Sequence, residues 1–267
     1  MCKYCILHGK GKKWFIEVEN FSRNMLDDYQ RMELIDVALR YAAGKKPKIT
    51  PFSLKLYASE AVLLTAMHVP FMKNAALSEA NSLLEKYHFG QVLTLEETCQ
   101  LVECAGHIVL FDCRCQRMEA NKKIACCLGV GAFGDLAEDM PEVGAKRLTI
   151  DEAKEIIKLH DASGCFHSLW TFKVPFIGTI CNCDSKVCHG IRDIKRGATQ
   201  TLVKGHFYSY SNQSKCIMCG NCVKACIFSV RKYSREGRPE VDPRDCFGCG
   251  LCRNVCESGA IILKDKE

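Results

Sequence analysis

Cys216, Cys219, Cys222 and Cys226, followed by Cys246, Cys249, Cys252 and Cys256, write the run C-x-x-C-x-x-C-x-x-x-C twice within the last 52 residues. That spacing binds two [4Fe–4S] clusters. The first three cysteines of each run wrap one corner of a cubane, and the fourth reaches across to the other cluster. The expected sets are Cys216, Cys219, Cys222 and Cys256 for one cluster, and Cys246, Cys249, Cys252 and Cys226 for its partner. Structural zinc needs two C-x-x-C pairs and leaves a third evenly spaced thiolate without a role. A disulfide framework needs an oxidising compartment and usually a small secreted chain.

On these residues, 211–267 resemble a bacterial-type two-cluster ferredoxin domain. Ile227 and Glu257 stand where that family usually places proline after the fourth cysteine. Proline contributes no ligand there, so its absence leaves binding intact and bears on potential or solvent access.

At 267 residues the chain holds more than one compact unit, and the ferredoxin-like segment is about a fifth of it. Twenty cysteines without a secretory leader predict a reducing cytoplasm, with an oxygen-poor setting fitting best. The longest apolar stretch, 61–72, is broken by Thr65, His68 and Pro70 and is too short for membrane insertion. The net charge of +6, with lysines clustered in 10–13 and 45–48, reads as a solvated basic face. It could also steer an acidic redox partner protein; nucleic acid comes a distant third.

The expected fold class is α+β. A mainly helical N-terminal region (1–92) opens with the pair Cys2 and Cys5, a cysteine-rich α/β middle module spans 93–210, and the small ferredoxin-like 2[4Fe–4S] domain spans 211–267. Apolar residues at three- and four-residue steps predict helices over about 22–43, 53–68 and 77–87. In the middle module, two Thr-x-x-Glu capping boxes, Thr94 with Glu97 and Thr149 with Glu152, each open a helix. Each helix is followed by an apolar strand, 107–111 or 176–180, that delivers a C-x-C: Cys113 and Cys115, then Cys181 and Cys183. This is the pattern of a divergent internal repeat with an insertion around 166–175, which would bring both C-x-C turns to one end of a sheet.

Cys113, Cys115, Cys126, Cys127, Cys181, Cys183 and Cys188 suffice for a further centre. The favoured site is a third [4Fe–4S] cluster on Cys113, Cys115 and Cys127 with one thiolate from Cys181 or Cys183, with structural zinc or redox-active thiols as alternatives. The C-x-C turn, Cys127-Leu128-Gly129, the Thr-x-x-Glu-Ala helix and Ile180-Cys181-Asn182-Cys183, with the opening C-x-Tyr-C, resemble uncharacterised four-iron ferredoxin-type proteins of anaerobic prokaryotes. That resemblance implies cluster binding more firmly than any reaction. Arg114 between the two cysteines and Gln116 after them depart from its pattern. Cys2 and Cys5 cannot complete a site alone and need partners such as His8, Cys181 or Cys188. Cys99, Cys104 and Cys165 read as small buried hydrophobes.

Gly129-Val130-Gly131-Ala132-Phe133-Gly134 matches G-x-G-x-x-G, but it follows two cysteines rather than a strand in a β-α-β unit. Its glycines are expected to turn the chain around a cluster. Cys183-x4-Cys188-His189 departs from haem-attachment spacing. The leading function is an electron-transfer protein passing electrons between the C-terminal clusters, the middle centre and a partner. The alternatives are an oxidoreductase with a substrate-binding middle cluster and a redox-responsive regulator.

Overall fold

The computed structural model describes residues 11–266. Three short 3-10 turns, Gly11–Ile16, Val18–Phe21 and Arg23–Asp27, precede the first regular helix, Tyr29–Ala42. The stripe expected from position 22 becomes a helix only at Tyr29. Ser22 accepts a hydrogen bond from the Asn24 amide and Asp28 accepts one from the Arg31 amide, so the chain is capped twice before regular winding begins. Ile35, Leu39 and Ala42 form the buried face of this helix. Helices Pro51–Met67 and Lys73–Tyr87 follow and pack against each other, the first opened by Pro51 and a Thr50–Ser53 capping box.

One seven-stranded sheet organises the centre. Its strands are β1 Gly90–Leu93, β2 Ile108–Asp112, β3 Ala125–Val130, β4 Lys146–Leu148, β5 Phe166–Thr171, β6 Ile177–Cys183 and β7 Leu202–Val203, in the order β4-β2-β3-β6-β5-β1-β7. Every neighbouring pair is antiparallel except β1 and β7. Two β-α-β-β stretches alternate here: β1, helix Leu95–Ala105, β2, β3, then β4, helix Ile150–Ala162, β5, β6. Their first strands are exchanged, β4 pairing with β2 and β1 with β5, so swapping the two stretches reverses the order of the six strands and preserves each pairing. Both helices start with reciprocal bonds, Thr94 with Glu97 and Thr149 with Glu152.

The C-x-C pairs do not occupy matching places in the two stretches. Cys113 follows β2, whereas Cys181 and Cys183 lie within β6, and the region expected as an insertion supplies β5, the counterpart of β2. Helices Leu95–Ala105 and Ile150–Ala162 bury Leu101, Val102, Ala153 and Ile157 on one face of the sheet, where Trp14 and Phe15 complete the core. Helices Tyr29–Ala42 and Gly131–Glu138 cover the other face with Ile35, Leu39, Phe133 and Ala137.

The glycine-rich run does follow a strand, β3, and opens a helix, yet β3 is antiparallel to both neighbours, so no parallel β-α-β unit forms. Its glycines serve close packing. Gly131 has φ +55°, and a Cβ there would lie 2.6 Å from the Phe21 carbonyl oxygen; one on Gly129 would meet Val109 at 2.9 Å.

The C-terminal part is a small unit of β8 Phe207–Ser211 paired antiparallel with β11 Ile261–Asp265, a short hairpin of β9 Lys232–Tyr233 with β10 Pro239–Glu240, and one-turn helices Asn221–Lys224 and Leu251–Asn254. The divides expected at 92/93 and 210/211 fall inside β1 and β8.

Candidate metal centres

The two C-terminal cysteine runs fold into loops that end on one-turn helices, with Gly220 (φ +76°) and Gly250 (φ +84°) making the left-handed turn before the third cysteine of each. At Gly220 even a Cβ would collide with the Tyr233 hydroxyl, 2.0 Å away. Two cavities result. One, of about 20 Å³, is lined by Cys216, Cys219, Cys222 and Cys256. The other, also of about 20 Å³, is lined by Cys246, Cys249, Cys252 and Cys226. Each cavity thus collects three thiols from one run and the fourth from the other.

The two cavities sit in different surroundings. Around the first, Cys219 is exposed and the loop shows Ile217 and Met218 to solvent, 66 % and 59 % exposed. The second faces inward. Its Cys226 and Cys249 join an apolar cluster that also holds Cys183, Cys188, Phe166, Phe228 and Phe247. The rings of Phe228 and Phe247 stack at 3.9 Å and 4°, and Phe166 meets Phe228 edge-on at 5.6 Å.

The donor chemistry fits a metal cluster. Every described cysteine is a free thiol. Burial pushes the Cys249, Cys252 and Cys222 thiols up, so these sulfurs stay protonated unless a cation compensates the thiolate charge. Backbone amides already point at sulfur: Arg231 N donates to Cys226 Sγ and Ser209 N to Cys246 Sγ, both at 3.4 Å.

A second cysteine assembly lies at one end of the large sheet. The Sγ atoms of Cys113, Cys126 and Cys127 are all within 4.8 Å of one another and all three residues are buried. Two consecutive cysteines reach one point because the β2–β3 register shifts between Phe111 and Asp112: Phe111 faces Cys127 and Asp112 faces Ala125, leaving Cys126 as the extra residue of a bulge. Cys127 stands opposite Cys181 across β3 and β6. Hydrogen bonds from Cys115, Cys126 and Cys127 hold the Cys113 thiol far below its ordinary value. Cys127 is pushed up by its bonds to Cys113, Cys126 and Cys181. Cys183 and Cys188 form a neighbouring pair in which the hydrogen bond lowers Cys188 and raises Cys183.

The structure therefore gathers Cys113, Cys115, Cys127 and Cys181, adds Cys126 to them, and turns Cys183 toward Cys188. Cys126 escapes a reading from strand alternation, since adjacent residues of a regular strand point to opposite faces. The adjacent pair Cys126-Cys127 was itself the available signal for a bulge. Between Cys181 and Cys183, Asn182 points the other way. Its Nδ2 donates to the Cys126 carbonyl, its Oδ1 meets His167 Nδ1 at 2.7 Å, and Asp161, beside His167, accepts from Asn254 of the C-terminal unit.

Cys99 and Cys104 pack half-buried against the core, and burial pushes the Cys165 thiol up to about 11, in keeping with plain packing residues. Cys2, Cys5 and His8 lie outside the described residues. No described helix is long and apolar enough to cross a membrane.

The comparison with curated proteins found no match. Residues 215–260 match the family model of the 4Fe-4S dicluster domain, which supports a ferredoxin-type domain at the C-terminus, a 4Fe-4S cofactor and a role in iron–sulfur electron transfer.

Proposed function

We propose that the chain carries electrons through two C-terminal [4Fe–4S] clusters and a third metal centre in the sheet. Cys216, Cys219, Cys222 and Cys256 hold one cluster, and Cys246, Cys249, Cys252 and Cys226 the other. The observation that carries this reading is the crosswise lining of the two cavities. The third centre draws its ligands from Cys113, Cys115, Cys126, Cys127 and Cys181. Four thiolates complete a [4Fe–4S] cluster, and the five converging here supply them. The exchanged β-α-β-β stretches support a pseudo-repeated module between the helical N-terminal region and the ferredoxin-like unit.

Bound clusters supply one-electron chemistry at potentials set by charge, hydrogen bonding and exposure. The chain's own residues give that chemistry a direction. The exposed loop at Ile217, Met218 and Cys219 presents the first site to a redox partner protein. Phe166, Phe228 and Phe247 fill the space between the second site and Cys183, keeping water out and the separation short. Free thiols in this number suit a reducing, oxygen-poor cytoplasm.

Iron and acid-labile sulfide analysis of anaerobically purified protein tests the reading, with about eight irons expected for the C-terminal pair and about twelve with the middle centre. Stoichiometric zinc and no visible absorption at the middle site would refute the third cluster. Oxidation of the reduced protein by a free metabolite with no protein partner present, with a shifted middle-centre spectrum, would replace the carrier by an enzyme.

A further inference from the structure

Arg231 is a charge buried without a countercharge. It is 2 % exposed, and its side chain meets only neutral groups. Nη1 donates to Ser211 Oγ at 2.7 Å and to the Pro239 carbonyl at 3.4 Å, and Nη2 donates to Ser209 Oγ at 2.9 Å and to the Ser209 carbonyl at 3.3 Å. Nε has no hydrogen-bond partner, and among the described residues no carboxylate lies within ion-pair distance of the guanidinium. Hydroxyls and carbonyls satisfy donors but do not cancel charge, and an unpaired buried ion costs several kcal/mol.

The guanidinium sits between the two C-terminal cysteine sets. Nη1 is 4.0 Å from Cys222 Sγ of the first, while the side chain lines the cavity of the second and the Arg231 amide bonds Cys226 Sγ. The corresponding place in the other run is instructive. Arg231 follows Cys226 by five residues, and the residue five after Cys256 is Ile261, buried and lining the first cavity. An apolar side chain fills that position in one half, so burial alone does not call for a cation in the other.

We propose that Arg231 is the internal counter-cation of the dicluster, its positive charge offsetting the net negative charge of the thiolate-ligated clusters and favouring the reduced state of both. The inference rests on the reading that residues 211–267 hold two clusters. It assigns Arg231 a positioning and electrostatic role, not ligation. A cation close to a centre that gains an electron stabilises the reduced form more than the oxidised one, because the attraction grows with the charge. Arginine retains its proton at any working pH, so the effect is permanent rather than switched.

The test separates charge from hydrogen bonding in the full-length, iron-loaded protein. Arg231→Gln keeps a donor and removes the charge; Arg231→Lys keeps the charge and removes the fork. In redox titrations followed by paramagnetic resonance, R231Q should lower the ratio of reduced to oxidised cluster at a given potential about tenfold, equivalent to 59 mV for one electron, while R231K stays near wild type. Wild-type potentials in R231Q, or equal shifts in R231Q and R231K, would overturn the proposal. Should neither variant hold iron, wild-type protein labelled with ¹⁵N in the arginine guanidino group decides the matter. Electron-nuclear double resonance of the reduced clusters should detect a ¹⁵N coupling, and its absence would equally overturn the assignment. Iron and sulfide counts on wild type are taken first. A wild type without two clusters refutes the functional reading itself, an outcome distinct from intact clusters indifferent to Arg231.

Discussion

Replacing Cys226 by alanine should empty the cavity whose other three cysteines lie twenty and more residues downstream, and spare the run to which Cys226 belongs. The thiol faces Cys246, Cys249 and Cys252, not Cys216, Cys219 and Cys222. The direct structural cost is small. Cys226 is half-buried, and the substitution removes one weak acceptor, leaving the Arg231 amide that donates to it at 3.4 Å without a partner. That amounts to about 1–2 kcal/mol, below the roughly 5–15 kcal/mol by which domains are ordinarily stable. The fold survives, so lost iron reports ligation. Cys226→Ala should therefore retain about four fewer irons than wild type, the number in one cubane. Cys256→Ala provides the mirror experiment, emptying the cavity of Cys216, Cys219 and Cys222. Anaerobic reconstitution, iron and sulfide counts, and Mössbauer spectra on both variants check this, with Cys219→Ser marking the signature of the exposed centre. If both substitutions removed the same centre, or if Cys226→Ala removed the centre marked by Cys219→Ser, crosswise ligation would be wrong.

Cys127→Ala should lower metal occupancy at the sheet while Cys165→Ala leaves it intact, since only the first thiol meets Cys113 and Cys181; metal analysis with the C-terminal clusters as internal standard reads the difference. Gly131→Ala and Gly106→Ala both place a side chain at positive φ, a strain of about 1–2 kcal/mol. Only Gly131 faces a backbone wall, at Phe21, adding about 1–3 kcal/mol of overpacking, so its melting temperature should fall well below that of the Gly106 variant, which has open space. The backbone amide and hydroxyl of Thr149 hold the Glu152 carboxyl below its ordinary 4.5. The capping contribution is therefore complete above that value and lost as pH falls through the depressed one, and acid unfolding followed by circular dichroism should show Glu152→Gln closing the gap to wild type at low pH.

The parts of this protein legible in its sequence are those whose chemistry dictates spacing. The cysteine runs announce their loops because a cubane needs thiols at fixed intervals, and Thr94 and Thr149 announce helix starts because the caps are local. The exchange of first strands was not legible, since β1 is too short for its pattern to name β5 as a partner. The bulge at Cys126 hid behind strand alternation, and a segment read as an insertion was a strand because burial on both faces erases the polar alternation that would mark it. Arg231 belongs to no motif in the sequence. Only the fold shows it enclosed.

The exchanged strands also set a timetable. β1 cannot find its sheet neighbour β5 until about eighty further residues have been made, and Cys127 cannot face Cys181 until β6 exists. As synthesis proceeds, the early thiols Cys113, Cys115, Cys126 and Cys127 leave the ribosome without their wall, and the pairing that closes it is long-range and slow to form. Metal delivered before residue 183 has emerged would meet an open, wrongly shaped set of thiols. The topology thus leaves the sheet thiols incomplete until β6 is made, and the crosswise sharing leaves both C-terminal sets incomplete until the second cysteine run is made.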